Sequence, residues 1–107
     1  MDFTLSIQAR PPEAVITVGG ELDVFTSLQL RERLEEAVAL GCRQVQLDLG
    51  GISFADASAL QVLDRYHRDL AEANGSLRIV AMSAPLQRLC RVTGLDDTFG
   101  LDRSVLC

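Results

Sequence analysis

The sequence predicts an α/β fold in which helices pack against a small mixed β-sheet, in the order β-β-α-β-α-β-α. Short segments in which apolar and polar residues alternate are typical of strands. Longer segments carry apolar residues at helical spacing, and glycines or prolines separate the two kinds of segment. Because helices and strands alternate after an initial hairpin, one sheet with helices packed against it is the expected arrangement. The 107 residues are expected to form a single domain, 1–107.

The first half of the chain is predicted to contain a hairpin, a helix and a third strand. Leu30, Leu34 and Ala37 are spaced as on one face of a helix. Thr26 is expected to cap this helix, because a hydroxyl residue followed three positions later by Gln29 fits a capping box. The predicted elements are, in order, a strand over 3–8, a turn over 10–13, a strand over 14–18 ended by Gly19 and Gly20, a helix from Thr26 to Gly41, and a strand over 44–49.

The second half is predicted to add two helices and further strands. A loop over 50–56 should lead into the second helix, which Gly75 ends. The segment 77–82 is dense enough in apolar residues to predict a strand buried on both faces. Pro85 fits the first turn of a third helix closed by Gly94, and a short final strand is expected over 98–101. The apolar stripe of the second helix is predicted to be Leu60, Leu63, Tyr66, Leu70 and Ala73.

Charge and cysteine usage exclude several classes of function. The formal net charge is −5 and there is no Lys, which argues against binding to nucleic acid or to an anionic membrane surface. Cys42, Cys90 and Cys107 lack the spacing of a zinc site or a disulfide framework, so reduced thiols in a cytoplasmic protein are expected. No base–nucleophile pair or metal-ligand set is visible, so no catalytic residue, metal or cofactor is expected.

The segment 47–60 carries the most informative chemistry. Asp56 stands where an N-cap belongs, and Ser58 falls at about the second helical position, where backbone N–H groups lack partners. A phosphoryl group on Ser58 would be attracted by the helix start and opposed by Asp56. In an exposed contact surface that added charge would disrupt docking without unfolding the domain. Asp and Ser are also common at helix starts for capping alone, so both interpretations stay open at this point.

Three segments together resemble the STAS domain family, and more narrowly the bacterial anti-sigma factor antagonists. The match covers essentially the whole chain in the right order and spacing. The segments are Gly20-Glu21-Leu22-Asp23, the stretch 47–60, and 83–95 with its Ser-Ala-Pro-Leu start and Thr-Gly-Leu end.

The resemblance implies a cycle of partner binding. In this family the unmodified antagonist binds an anti-sigma factor that is also a serine kinase of the GHKL ATPase type, which releases a sigma factor. The kinase then phosphorylates a Ser at the start of the second helix, binding is lost, and a metal-dependent serine phosphatase reverses the step. The resemblance places the phosphoacceptor at Ser58 and implies that Asp23, Asp56 and Ser58 contact the partner. Ala57 and Ala59 depart from the family's common Asp-Ser-Ser-Gly, but the acceptor Ser is kept.

Other classes of protein remain as alternatives. An acyl carrier protein also has a Ser at a helix start, but it is all-helical, which the alternating segments argue against. A response-regulator receiver needs a Lys that this chain does not have. A STAS domain that acts as a non-phosphorylated scaffold or ligand-sensing module is the alternative that the sequence separates least well. A monomer or weak dimer is expected.

Overall fold

The computed structural model describes residues 3–95 of the chain. Within that range the order of elements is the predicted β-β-α-β-α-β-α. The final strand expected over 98–101, and Cys107, lie outside the described residues. The elements are β1 (Thr4–Arg10), β2 (Glu13–Leu22), α1 (Val24–Ala39), β3 (Gln44–Ala55), α2 (Ala57–Glu72), β4 (Ser76–Met82) and α3 (Ala84–Thr93).

The strands form one mixed sheet in the order β1-β2-β3-β4, which confirms the predicted sheet type. β1 pairs with β2 in an antiparallel hairpin, whereas β2 with β3 and β3 with β4 are parallel. The three parallel strands therefore end at the same edge of the sheet. The three helices begin directly after these strand ends, so this edge collects their N-termini.

The core lies on one face of the sheet, where strand side chains meet the buried faces of the helices. Alternate residues of β2 and β3, such as Ile16 and Leu47, are fully buried, while the residues between them face solvent. The prediction that β4 is buried on both faces is wrong. β4 is an edge strand of the described sheet, and its burial alternates, with Arg78 and Val80 exposed. The high proportion of apolar residues in β4 therefore does not mean that both faces of the strand are buried.

The glycine pairs lie inside strands and do not end them, which corrects two predictions. β2 continues through Gly19 and Gly20, and β3 continues through the segment predicted as a loop over 50–56. Gly19 pairs with Gly51 beside a register shift, and a Cβ added to Gly51 would lie 3.3 Å from the Cα of Gly19. The glycines thus allow a close backbone approach at a β-bulge. Because both strands continue past it, they reach the helix starts side by side.

The start of α1 differs from the prediction, since the N-cap is Asp23 and not Thr26. Thr26 is the third helical residue and completes a capping box from the other side: its Oγ1 accepts from the Asp23 backbone N–H at 2.8 Å. The helix begins earlier because the exposed apolar residues Val24 and Phe25 already adopt helical backbone. Thr26 therefore takes part in capping, as predicted, but from the N3 position of the box and not from the N-cap.

The other helix ends follow the predicted residues closely. Gly41 follows α1 with φ of 98°, and Gly94 ends α3 with φ of 78°, a conformation that favours glycine. Pro85 lies in the first turn of α3 as predicted. Ala73, expected on the apolar stripe of α2, is instead its exposed C-cap.

Candidate functional site

The ends of β2 and β3 place two helix N-caps next to each other. Leu22 pairs with Ala55 at the last position of the parallel ladder, and the Asp56 backbone N–H donates to the Leu22 carbonyl oxygen at 3.3 Å. The next residues, Asp23 and Asp56, are the N-caps of α1 and α2. Two carboxylates and two helix N-termini therefore share one edge of the molecule.

Asp23 is held in place by the first turn of α1. Its Oδ1 accepts from the backbone N–H groups of Phe25 and Thr26, each at 2.9 Å, and the Thr26 hydroxyl donates to the Glu21 carbonyl oxygen at 2.6 Å. The hydrogen bond from the Thr26 N–H is the main cause that lowers the pKa of Asp23 below its ordinary value of 3.8. Asp23 is therefore an anionic cap at this edge, and its contact with a partner stays a prediction.

Ser58 and Asp56 occupy the positions that the sequence predicts. Asp56 is the N-cap of α2, and its Oδ1 accepts from the Ser58 backbone N–H at 2.9 Å. The Ser58 hydroxyl donates to the same carboxylate oxygen. Ser58 is the second residue of the helix and is partly exposed. One carboxylate thus orients both the backbone and the hydroxyl of Ser58.

Ser27 belongs to the same cluster, and the sequence analysis missed it. It lies on α1 with 2% exposure and is the only polar or charged residue in the fully buried class within residues 3–95. Its Oγ lies 3.4 Å from the Oγ of Ser58, to which it is linked by a hydrogen bond between the two helices. The available signal was its spacing, since Ser27 falls on the same helix face as Leu30 and Leu34. A polar residue on an apolar stripe is a reason to look for a buried partner.

A groove of about 290 Å³ runs between α1 and α2 beside this cluster. We call it the α1–α2 groove. Both helices contribute positions with the same spacing, i, i+3, i+4 and i+7, so a single face of each helix forms a wall. Ser58 lies at the start of one wall. The lining residues are Val24, Ser27, Leu28 and Arg31 from α1, and Ser58, Gln61, Val62 and Arg65 from α2.

Several exposed apolar side chains lie near the same edge. Phe25, in the first turn of α1, is 76% exposed, and its neighbours Val24 and Leu28 are also exposed. Phe54 is exposed near the end of β3, where it pairs with Glu21. Large apolar residues exposed beside polar ones are typical of a protein-binding surface.

Other kinds of site find no support in the part of the chain that the structure describes. Across residues 3–95, His, Cys, Asp and Glu side chains form no group of three or more that could hold a metal ion. None of the helices in the same range is long and apolar enough to cross a membrane. Cys42 and Cys90 are both buried and form no disulfide.

Comparisons with known proteins agree on one family. The family model described as "Mlab, STAS domain" matches residues 5–106. The anti-sigma-B factor antagonist of Staphylococcus aureus is 33% identical over 82 residues, which cover 77% of this chain and 76% of that protein. The crystal structure of an anti-sigma factor antagonist from Mycobacterium paratuberculosis superposes with a TM-score of 0.80 at 26% identity, covering 92% of this chain and 83% of the other.

A further solved structure is that of a phosphorylated protein. The Bacillus cell fate determinant SpoIIAA, solved in its phosphorylated form, superposes with a TM-score of 0.71 and covers 90% of this chain and 86% of its own. At 22% identity this likeness supports the fold. The element order agrees with this fold. The family model and the 33% identical relative show that the chain belongs to the STAS domain family, the family of these anti-sigma factor antagonists.

Proposed function

We propose that this protein is an anti-sigma factor antagonist that binds an anti-sigma factor and thereby releases a sigma factor. The observation that carries the proposal is Ser58, a partly exposed residue that lines an open groove and whose hydroxyl is hydrogen-bonded to Asp56 at a helix start. Exposed apolar residues near this edge, such as Phe25 and Leu28, supply contact area for a protein partner. The names of the relatives support this class of partner.

The proposed switch is phosphorylation of Ser58 by the anti-sigma factor itself, acting as a serine kinase of the GHKL ATPase type. The Ser58 Oγ attacks the γ-phosphorus of ATP, an Oγ–P bond forms, the bond to the β–γ bridging oxygen breaks, and ADP leaves. Asp56 is placed to take the hydroxyl proton, because Ser58 already donates to its Oδ1. A metal-dependent serine phosphatase hydrolyses the phosphoserine and restores the hydroxyl.

The phosphoryl group acts on binding through charge and volume. It adds a charge of roughly −1.5 to −2 at neutral pH. This charge lies next to the Asp56 carboxylate and beside the first residues of the α1–α2 groove. A partner surface that fits the neutral hydroxyl then meets a dianion, and like-charge contacts at an interface cost several kcal/mol. Asp23, Asp56 and Ser58 together form the proposed partner-binding set, and the cytoplasm is the proposed location of the cycle.

A phosphotransfer assay tests this function. Purified GHKL-type anti-sigma factors from the same genome are incubated with the protein and ATP, and the modified residue is mapped by mass spectrometry. We expect one phosphate on Ser58 and none in Ser58→Ala. Ser53→Ala is the matched control, because Ser53 is an exposed serine that precedes α2 on β3, and this variant should be phosphorylated like the parent chain.

Binding of the same anti-sigma factor tests the effect of the charge. Ser58→Asp should bind at least ten-fold more weakly than the parent chain, since a loss of about 1.4 kcal/mol already gives that factor. Ser58→Ala should still bind. Equal affinities for Ser58→Asp and the parent would contradict the switch, and binding without any phosphate transfer would support the non-phosphorylated scaffold instead.

A further inference from the structure

Two arginines line the α1–α2 groove, further along their helices than Ser27 and Ser58. Arg31 follows Ser27 by one helical turn on α1, and Arg65 follows Ser58 by two turns on α2. α1 and α2 both begin at the strand-end edge and pack against each other. Because helical side chains lean toward the N-terminus of their helix, long side chains at these positions can reach toward Ser58 once they leave their present partners.

The present partners of these arginines are weak. Arg31 Nε lies 3.6 Å from Glu35 Oε1, and Arg65 Nε lies 3.6 Å from Asp69 Oδ2. Both contacts join residues four positions apart on one helix that are exposed or half-buried, a kind of ion pair that contributes little to stability. Arg31 Nε is also buried and makes no hydrogen bond within the described residues. Both guanidinium groups can therefore change partner at low cost.

We propose that Arg31 and Arg65 form an internal clamp that binds the phosphoryl group of phosphorylated Ser58 across the α1–α2 groove. This inference rests on the phosphorylation of Ser58 proposed above and adds what happens to the phosphate afterwards. Guanidinium groups bind phosphate oxygens through paired, charge-assisted hydrogen bonds, which are stronger than their present contacts. The clamped phosphate covers Val24, Leu28 and Val62, the apolar part of the groove.

The carboxylates around Ser58 favour such a partner for a dianion. Asp56 accepts from Ser58 directly, and Asp23 caps the adjoining helix, so both nearest carboxylates oppose a phosphate. Arg31 and Arg65 are the only cationic residues that line the groove, within the residues that the structure describes. The other arginines of these two helices, Arg33 and Arg68, are absent from that lining and pair with Glu36 and Asp64. The modified surface is then closed and partly neutralised, not simply made more negative.

The test uses the full chain with phosphoserine installed at position 58 during translation, so that no kinase is needed. The second pKa of the phosphate is measured by phosphorus NMR titration. Each of Arg31→Gln and Arg65→Gln should raise this pKa by roughly half a pH unit, the size expected from losing one exposed charge pair. Arg33→Gln and Arg68→Gln are matched controls, since each removes an arginine with an intrahelical ion pair from the same helix but outside the groove lining.

Two results would overturn the clamp. One is that the groove variants shift the phosphate pKa no more than the control variants do. The other is that Arg31→Gln and Arg65→Gln shift it only when they also lower the melting temperature of the unphosphorylated chain, which would indicate a structural cause. Since the phosphoserine is supplied directly, a failed clamp leaves the proposed kinase reaction unaffected, and a failed kinase assay leaves this measurement interpretable.

Discussion

At the scale of single residues, the Ser58 hydroxyl has two partners of different origin. Asp56, two positions earlier, orients it from within the same helix start. Ser27, on the neighbouring helix, meets it across the helix interface at 3.4 Å. Since Ser27 is fully buried, its hydroxyl has been removed from water, and a buried hydroxyl without a partner costs about 1–3 kcal/mol. The two serines should therefore depend on each other for stability.

A double-mutant cycle measures this dependence. Ser27→Ala, Ser58→Ala and the double variant are compared by urea unfolding, and we expect a coupling energy of about 0.5–1 kcal/mol because the contact is long for a hydroxyl hydrogen bond. The control cycle combines Ser27→Ala with Ser53→Ala, whose exposed side chain should give additive effects. Additivity in both cycles would show that the Ser27–Ser58 contact carries no energy.

At the scale of elements, α1 and α2 pack against each other and form the two walls of the groove at the candidate site. Tyr66 of α2 is buried at this interface, and its hydroxyl donates to the Glu35 carboxylate of α1. Burial is the main cause that raises the pKa of Tyr66 to about 12, and the Glu35 hydrogen bond is the second. The packing of α2 against α1 is thus linked to the protonated state of one phenol.

This linkage predicts how stability changes at high pH. The unfolded phenol loses its proton near its ordinary pKa of 10.0, whereas the folded phenol keeps it until about 12. Between these values the unfolded chain binds fewer protons, so the unfolding free energy should fall as pH rises. Tyr66 is the only tyrosine, so ultraviolet absorbance of the phenolate reports its ionisation directly.

Tyr66→Phe provides the control for that measurement. The variant should lose the part of the pH dependence that lies between 10.0 and about 12, because no phenol remains to titrate. A phenol of the folded parent chain that ionises near its ordinary value would contradict the described burial and the contact with Glu35.

At the scale of the whole molecule, the two ends of the sheet have different contacts and different roles. The strand-end edge carries the helix starts, the groove and exposed apolar residues such as Phe25 and Phe54. At the opposite end, the connections pack against each other through backbone hydrogen bonds: Arg43 N–H donates to the Pro12 carbonyl oxygen at 2.7 Å, and Ser76 N–H donates to the Arg43 carbonyl oxygen at 2.8 Å. This end therefore serves the stability of the scaffold, while the other end presents the side chains of the site.

Gly75 lies within this packing, and the structure leaves no room there for a side chain. A Cβ added there would lie 2.1 Å from the Arg43 carbonyl oxygen, which is backbone and cannot turn away. Gly75→Ala should lower the unfolding free energy by about 1–3 kcal/mol, the usual cost of overpacking, as measured by thermal or urea unfolding. Glu72→Ala, at an exposed position at the end of α2, should change it by less than about 0.5 kcal/mol. Similar stabilities for the two variants would contradict the described contact.

Much of the fold and part of the site follow from local rules. The element order, the helix ends at Gly41 and Gly94, and the places of Asp56 and Ser58 depend on periodicity and capping within a few residues. The sequence therefore determined, by itself, that a hydroxyl and a carboxylate meet at the start of α2. The family resemblance, carried by segments spread along the chain, supported the same assignment and is confirmed by the family match.

The tertiary structure alone decided which distant residues complete the site. The strands continue through Gly19 and Gly51 because their backbones approach each other in the sheet, which depends on β2 and β3 being neighbours. The meeting of Ser27 with Ser58 depends on α1 lying beside α2. Local patterns report the conformation of a segment, whereas these contacts form between segments that are far apart in sequence, and only the packed sheet and helices bring them together.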